Sequence, residues 1–114
     1  MTATDCIFCR IAAGDIPATI VARNERFLAF RDVSPQAPAH VLAIPIAHVA
    51  SLDDAADADM LGGLFAFTRD VARAEGVAES GYRTVVNTNA DAQQTVPHLH
   101  VHILGGRLMT WPPG

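Results

Sequence analysis

The chain has 114 residues, half of them apolar and 18% charged, which suits one globular domain with a single core and excludes disorder. Its net charge is −4, from eight Lys+Arg against twelve Asp+Glu, with no basic cluster, which argues against a protein that binds by covering nucleic-acid phosphates. No apolar run reaches the length of a membrane span, and Met1-Thr2-Ala3-Thr4-Asp5 has neither the basic nor the apolar region of a signal peptide. The expectation is a cytoplasmic protein that binds neither nucleic acid nor membrane, with residues 1–114 as one domain and residues 107–114 as a C-terminal arm.

Cys6 to Ala13 is compact and apolar at Ile7, Phe8 and Ile11, and Gly14 follows as a helix stop. Cys6 and Cys9, the two cysteines of the chain, form a C-x-x-C pair. In a reducing compartment such a pair reads as a metal half-site or a redox pair before a structural disulfide. Pro17 forces an extended exit, after which Thr19–Ala22 and Phe27–Arg31 read as a hairpin around Arg23-Asn24-Glu25-Arg26. Ser34 to Pro38 is a loop stiffened by two prolines, and His40 to Ile44 is a third strand closed by Pro45.

Asp57 caps a predicted helix that runs to about Glu75, with Leu61, Leu64, Phe65, Thr68, Val71 and Ala72 as its buried stripe and Gly76 as its end. Gly62 and Gly63 each weaken that helix by about 1 kcal/mol relative to Ala, which predicts close packing there. Tyr82–Asn87 is a fourth strand, Thr88–Thr95 a polar loop, and Pro97 opens a fifth strand. The order predicts an α+β fold: one antiparallel five-stranded sheet with a short N-terminal helix and a long helix. The arm carries the single Trp, Trp111, expected either to cover its own domain or to insert into a partner.

The fifth strand holds His98, His100 and His102 in strict alternation, about 6.7 Å apart along one face. Leu99, Val101 and Ile103 take the other face, which reads as the buried one. The other two histidines are His40 and His48. Three readings compete for the strip: a metal site, a nucleophilic imidazole whose neighbours fix its tautomer and handle protons, and a polar solvent-facing strand. The absence of Lys, Glu or Thr from that face disfavours the last.

His98-Leu99-His100-Val101-His102-Ile103-Leu104 resembles the histidine triad signature. Phe30 to His40, Ile44-Pro45 with His48, Tyr82-Arg83, Val86-Asn87, Leu104 to Arg107 and Trp111-Pro112-Pro113-Gly114 are similar to the Hint branch, the nucleotide-binding phosphoramidases. The resemblance covers nearly the whole chain. It implies a HIT-like fold, a homodimer whose sheet continues across both protomers, and hydrolysis of purine nucleoside 5′-phosphoramidates without a cofactor for catalysis.

The resemblance also implies roles. His100 is the nucleophile and becomes adenylated, His102 binds phosphate, and Thr95 stands near the phosphate or the departing nitrogen. His98 and His40 complete the histidine set. Asn87 lies on the phosphate side, and the backbone amides around Gln93 and Gln94 cradle the phosphate. Asp32 accepts the two ribose hydroxyls, Phe8, Ile11, Ile16, Phe30 and Val33 wall the base, and Trp111 adds to nucleotide binding from the arm. Ala90 to Val96 departs from the family's usual Gly-x-x-Gly-Gln-Ser-Val: Gln93 replaces Gly and Thr95 replaces Ser. Retained but altered activity is the expectation.

Cys6, Cys9, His48 and His98 match the positions at which many members hold a structural, tetrahedral zinc. The alternative is a pair of buried, inert thiols beside a solvated His48. Three other functions remain open on sequence: a zinc hydrolase using the three alternating histidines, a nucleotide-binding scaffold with vestigial catalysis, and a dinucleotide hydrolase of the same superfamily.

Overall fold

A computed structural model describes residues 5–114; Met1 to Thr4, read above as lacking a signal segment, lie outside them. The elements are α1 (Ile7–Ala12), β1 (Ile20–Arg23), β2 (Phe27–Arg31), β3 (Ala39–Pro45), a 3-10 turn at Leu52–Asp54, α2 (Ala58–Ala74), β4 (Tyr82–Val85) and β5 (Val101–Gly105). The strands form one antiparallel sheet in the order β1-β2-β3-β5-β4. Among the described residues no helix is long and apolar enough to cross a membrane.

Local chemistry sets the boundaries. Cys6 caps α1 by accepting the Cys9 amide on its sulfur at 3.4 Å. Asn24 makes the β1–β2 turn by accepting the amides of Arg26 and Phe27 at 2.9 and 2.8 Å. Asp57 caps α2 through the amides of Asp59 and Met60 at 3.0 and 3.2 Å.

The sheet separates two apolar clusters, as its two-residue period requires. Phe27, Ala29, Val41, Ala43, Leu99, Val101 and Ile103 pack against α2. Leu28, Phe30, Leu42 and Ile44 pack on the opposite side against Cys6, Phe8, Ile11 and Ala12. The buried stripe of α2 is Met60, Leu64, Phe67, Thr68, Val71 and Ala72, with Leu61 partly buried beside it. Phe65, expected in that stripe, is 42% exposed. It stands about 100° around the helix from Leu64, so a stripe centred on Leu64 and Val71 leaves it outside.

The glycine expectation holds at one position of two. A Cβ on Gly63 would lie 3.0 Å from the Phe27 ring, whereas nothing lies within 4 Å of one on Gly62. Packing is tighter still at Gly105, where a Cβ would meet Val77 at 2.7 Å. Gly105→Ala is therefore expected to cost about 1–3 kcal/mol in urea unfolding, with Gly62→Ala neutral or stabilising.

The fifth strand starts at Val101, four residues after the expected Pro97. The reason lies across the sheet. β3 pairs with β5 as far as Ala43 opposite Val101, and the next partner, Pro45, has no amide to donate. The Pro45 carbonyl instead accepts the His98 ring at 2.7 Å. His98 and Leu99 send their amides to Val96 and Val49. β4 stops correspondingly at Val85, not Asn87.

Candidate active site

The irregular approach to β5 divides the histidines among different tasks. His98 is fully buried, His100 is 6% exposed and His102 is half-buried, so the histidine face is covered like the apolar one. Phe8 supplies much of that cover: its ring meets His98 and His100 edge-on, at centroid distances of 5.9 and 5.2 Å.

Backbone partners fix the tautomers. The His100 Nδ1–H donates to the His98 carbonyl at 2.7 Å, which leaves Nε2 with a free lone pair. The Gln36 amide donates to His40 Nδ1 at 3.0 Å, so neutral His40 carries its proton on Nε2. That nitrogen lies 2.9 Å from His102 Nδ1, which accepts, and the proton of His102 is assigned to Nε2. The contact is diagonal across the sheet, since His40 pairs with Leu104 and His102 with Leu42. The site thus holds one bare ring nitrogen and one ring N–H.

Burial lowers the pKa of His100 against the opposing pull of the His98 carbonyl and the Asp32 charge. Burial, then the charges His100 and His40 would carry, push His102 down to about 4, with Asp32 opposing. Burial lowers His40 too, again against Asp32. Neutral imidazoles are the resting state at pH 7. Between about pH 6.5 and 4 an unfolded chain binds a proton at residue 102 that the folded one refuses. That stability is complete above the ordinary histidine pKa and is lost as pH falls toward 4. Its upper bound for His102 is about 3 kcal/mol, checked by urea unfolding of wild type and His102→Gln at pH 7 and pH 4.5.

One cavity of about 810 Å³ is lined by Phe8, Ile11, Ile16, Phe30, Asp32, Val33, Asn87, Gln93, Thr95, His100 and His102, all singled out from the sequence. Ile7, Pro17, Ala18, Thr19, Leu42 and Val96, which were not, complete it together with the Arg31 position. Apart from Thr19 and Arg31, the residues from α1, the segment after it and β2 make an apolar end. Asn87, Gln93, Thr95, His100 and His102 make a polar one. Asp32 stands near His40, with Oδ2 3.4 Å from Nε2, while its Oδ1 accepts the Ser34 amide at 2.8 Å. It therefore serves the turn before Pro35 and still faces the cavity.

Three expected site residues, His98, His40 and Gln94, stand outside the cavity lining. His98 and His40 stand behind the cavity, acting on its histidines through a carbonyl and a ring nitrogen. Gln94 turns away: its side chain accepts the Asn89 amide and donates to the carbonyls of Ala50 and Val96, clamping the loop. The backbone amides of Gln93 and Gln94 are taken by the carbonyls of Ala90 and Asn89 at 2.9 and 3.1 Å, so neither is free to cradle a phosphate. Trp111 is 81% exposed, lies away from this cavity and sits under the Arg83 guanidinium at 5.8 Å. The carbonyl of Pro45 and the amide of Gln36 escaped the sequence reading because backbone groups carry no residue signature.

Cys6, Cys9, His48 and His98 form a second constellation, their donor atoms all within 4.8 Å of one another. His98 Nδ1 lies 3.2 and 3.5 Å from the two sulfurs and 3.3 Å from His48 Nδ1, and Cys9 Sγ lies 3.4 Å from His48 Nδ1. A tetrahedron with zinc–ligand bonds of 2.0–2.3 Å has edges of about 3.3–3.8 Å, which these separations match. Donation of His98 Nε2–H to Pro45 leaves Nδ1 as a lone pair aimed at the centre. Burial, then the hydrogen bond to Cys6 and its charge, push the Cys9 thiol up to about 11, a cost that a bound cation reverses. These four residues fit a tetrahedral metal.

Asp32, His40 and His102 also cluster, but the Gln36 amide places the His40 proton on the nitrogen a metal would need. His98, His100 and His102 do not converge on one centre, so the three-histidine metal reading of the strip fails.

The chain is 49% identical over 112 residues to a HIT-like protein of Synechococcus elongatus, covering 96% of this chain and 97% of that one. It is 44% identical over 113 residues to the 14 kDa zinc-binding protein of Zea mays, covering 95% and 87%. A HIT family hydrolase from Legionella pneumophila superposes with a TM-score of 0.93 at 50% identity, covering 96% of this chain and 99% of the other. With the HIT domain itself matched over residues 13–109, the chain belongs to the HIT-domain family.

Proposed function

We propose that the protein is a cytoplasmic hydrolase of purine nucleoside 5′-phosphoramidates that works through a nucleotidyl intermediate on His100. The observation that carries this reading is the His100 ring, whose Nδ1–H is held by the His98 carbonyl while the ring lines the cavity. Its unprotonated Nε2 is a nucleophile that needs no separate base. The Legionella relative's description as a hydrolase supports the reaction class.

In the proposed reaction the apolar end holds the purine and Asp32 takes the ribose hydroxyls. His100 Nε2 attacks phosphorus in line, forming an N–P bond as the bond to the amine breaks. The departing nitrogen takes up a proton from solvent water at the open rim beside Thr95, which is exposed. His102 Nε2–H, the Asn87 amide and the Thr95 hydroxyl are neutral donors for the nonbridging oxygens. Water then cleaves the His100–phosphorus bond to give the nucleoside monophosphate. These side chains supply the nucleophile and the donors without a catalytic cofactor.

The Cys6, Cys9, His48 and His98 set would hold a structural zinc, with the Zea mays zinc-binding protein as support. The working unit would be a homodimer: β4 is an edge of the sheet, and Leu108 and Trp111 of the arm are exposed, free to cross to a partner's cavity. Incubation with adenosine 5′-phosphoramidate in EDTA, quenched and analysed by peptide mass spectrometry, is expected to show an AMP adduct on His100. An adduct elsewhere, or turnover with no adduct at any quench time, would refute the covalent route.

A further inference from the structure

We propose that Gln93 reads the leaving amine, favouring amines that carry a hydrogen-bonding group two or three atoms from the nitrogen. The inference rests on the phosphoramidase reading above. Gln93 adopts φ +58, a left-handed conformation that L side chains other than Asn and Asp seldom take. Strain of this kind persists where the surrounding structure enforces it, and here the loop does so. The Gln93 amide donates to Ala90, the Gln94 amide to Asn89, and the Gln94 side chain ties the loop at three further points. Gln93 lines the cavity, and with its backbone amide spent inside the loop the carboxamide is the hydrogen-bond donor it has left to offer there.

The direction of displacement says what that side chain meets. His100 attacks from the buried wall, so in-line departure sends the leaving nitrogen to the far side of phosphorus, toward solvent. The exposed members of the polar end are Gln93 and Thr95. Thr95 is short and serves the phosphoryl group or the nitrogen itself, whereas a glutamine side chain extends further, to the substituent on the nitrogen. A neutral carboxamide both donates and accepts, so it selects for hydrogen-bonding capacity without regard to charge. Arg31, the cationic residue at the cavity, is held in a bidentate pair with Glu75 and offers no competing charge.

The test uses two isosteric adenosine 5′-phosphoramidates, one bearing an N-(2-hydroxyethyl) group and the other N-propyl. Their affinities are measured on His100→Ala protein, and their kcat/KM on the protein with His100 intact. With Gln93 present the hydroxyethyl compound is expected to win about fivefold in both measures, the worth of one partly exposed hydrogen bond. In Gln93→Ala and Gln93→Gly the ratio is expected to fall to about one. Gln93→Gly is also expected to raise Tm by a few degrees through relief of strain, and Gln93→Ala is not.

A ratio unchanged by either substitution, or near one with Gln93 present, overturns the proposal. So does a ratio that falls in Gln93→Gly alone, since the backbone and not the carboxamide would then be responsible. Failure of the protein with His100 intact to cleave either compound sinks the phosphoramidase reading, and the affinities on His100→Ala protein still judge Gln93.

Discussion

His100→Ala is expected to lower turnover of adenosine 5′-phosphoramidate by at least about a thousandfold while AMP affinity changes only a few-fold. The asymmetry follows from where the interactions lie. Asp32, Asn87, Thr95, His102 and the apolar end all remain in the cavity of the variant, so ground-state binding persists. Only the bond-forming lone pair is gone, and no neighbour replaces it. His40 Nδ1 is occupied by Gln36 and its Nε2 faces His102, while His98 Nε2 is occupied by Pro45. His102→Ala, by contrast, removes a donor and not the nucleophile, and is expected to cost about a hundredfold with the His100 adduct still detectable. Steady-state kinetics, AMP titration and adduct mass spectrometry on the two variants separate the roles. If His100→Ala retained substantial turnover, direct attack by water would replace the covalent route. If AMP binding were lost as well, the cavity would have collapsed and the variant would say nothing specific about the nucleophile.

The sequence carried the sheet, the two helices and most of the cavity lining because those depend on side-chain pattern. The two-residue alternation sorted Val101 and Ile103 from His102, and the capping residue Asp57 marked the start of α2. Where the reading failed, backbone groups or three-dimensional neighbours decided the outcome. The histidine strand was placed four residues early because periodicity cannot register that Pro45 has no amide to offer and that its carbonyl already holds a ring. The resulting break gives three alternating histidines three different jobs. Phe65 was misplaced because the helical period admits more than one stripe when Leu61, Leu64 and Phe65 are all apolar. Met60 and Phe67, which are buried in its stead, show which stripe the sheet selects.

The loop before the triad shows the same limit more sharply. Residue types named Gln93 and Gln94 as equivalent neighbours at a phosphate. The fold leaves one lining the cavity and ties the other back against Ala50 and Val96. The backbone differs as well, left-handed at Gln93 with φ near +58, and side-chain chemistry gives no sign of it.

The metal cluster makes the second large prediction. Protein purified without added zinc is expected to carry about one equivalent, and stripping it with a strong chelator should lower Tm by about 15 °C. The magnitude comes from linkage: free metal at a thousand times its Kd stabilises the folded state by about 4 kcal/mol, and a domain of this size shifts by about 4 °C for each. Cys9→Ser and His48→Ala should each lose the metal and most of that shift. The cluster ties α1 to the segments after β3 and before β5, so its loss also loosens a wall of the cavity. Phe8 lies between the two cysteines and packs on both His98 and His100. AMP affinity should therefore fall several-fold on stripping, before global unfolding begins, and recover when zinc is restored. Calorimetry and metal analysis decide the matter. Less than about half an equivalent per chain, with Tm insensitive to chelation, would leave Cys6, Cys9, His48 and His98 as a buried set of thiols and imidazoles joined by hydrogen bonds alone. The weak point of that alternative is His98 Nδ1, a single lone pair on which two sulfurs and a ring nitrogen converge at 3.2–3.5 Å. One lone pair accepts one strong hydrogen bond, whereas a cation at the centre satisfies all four donors together.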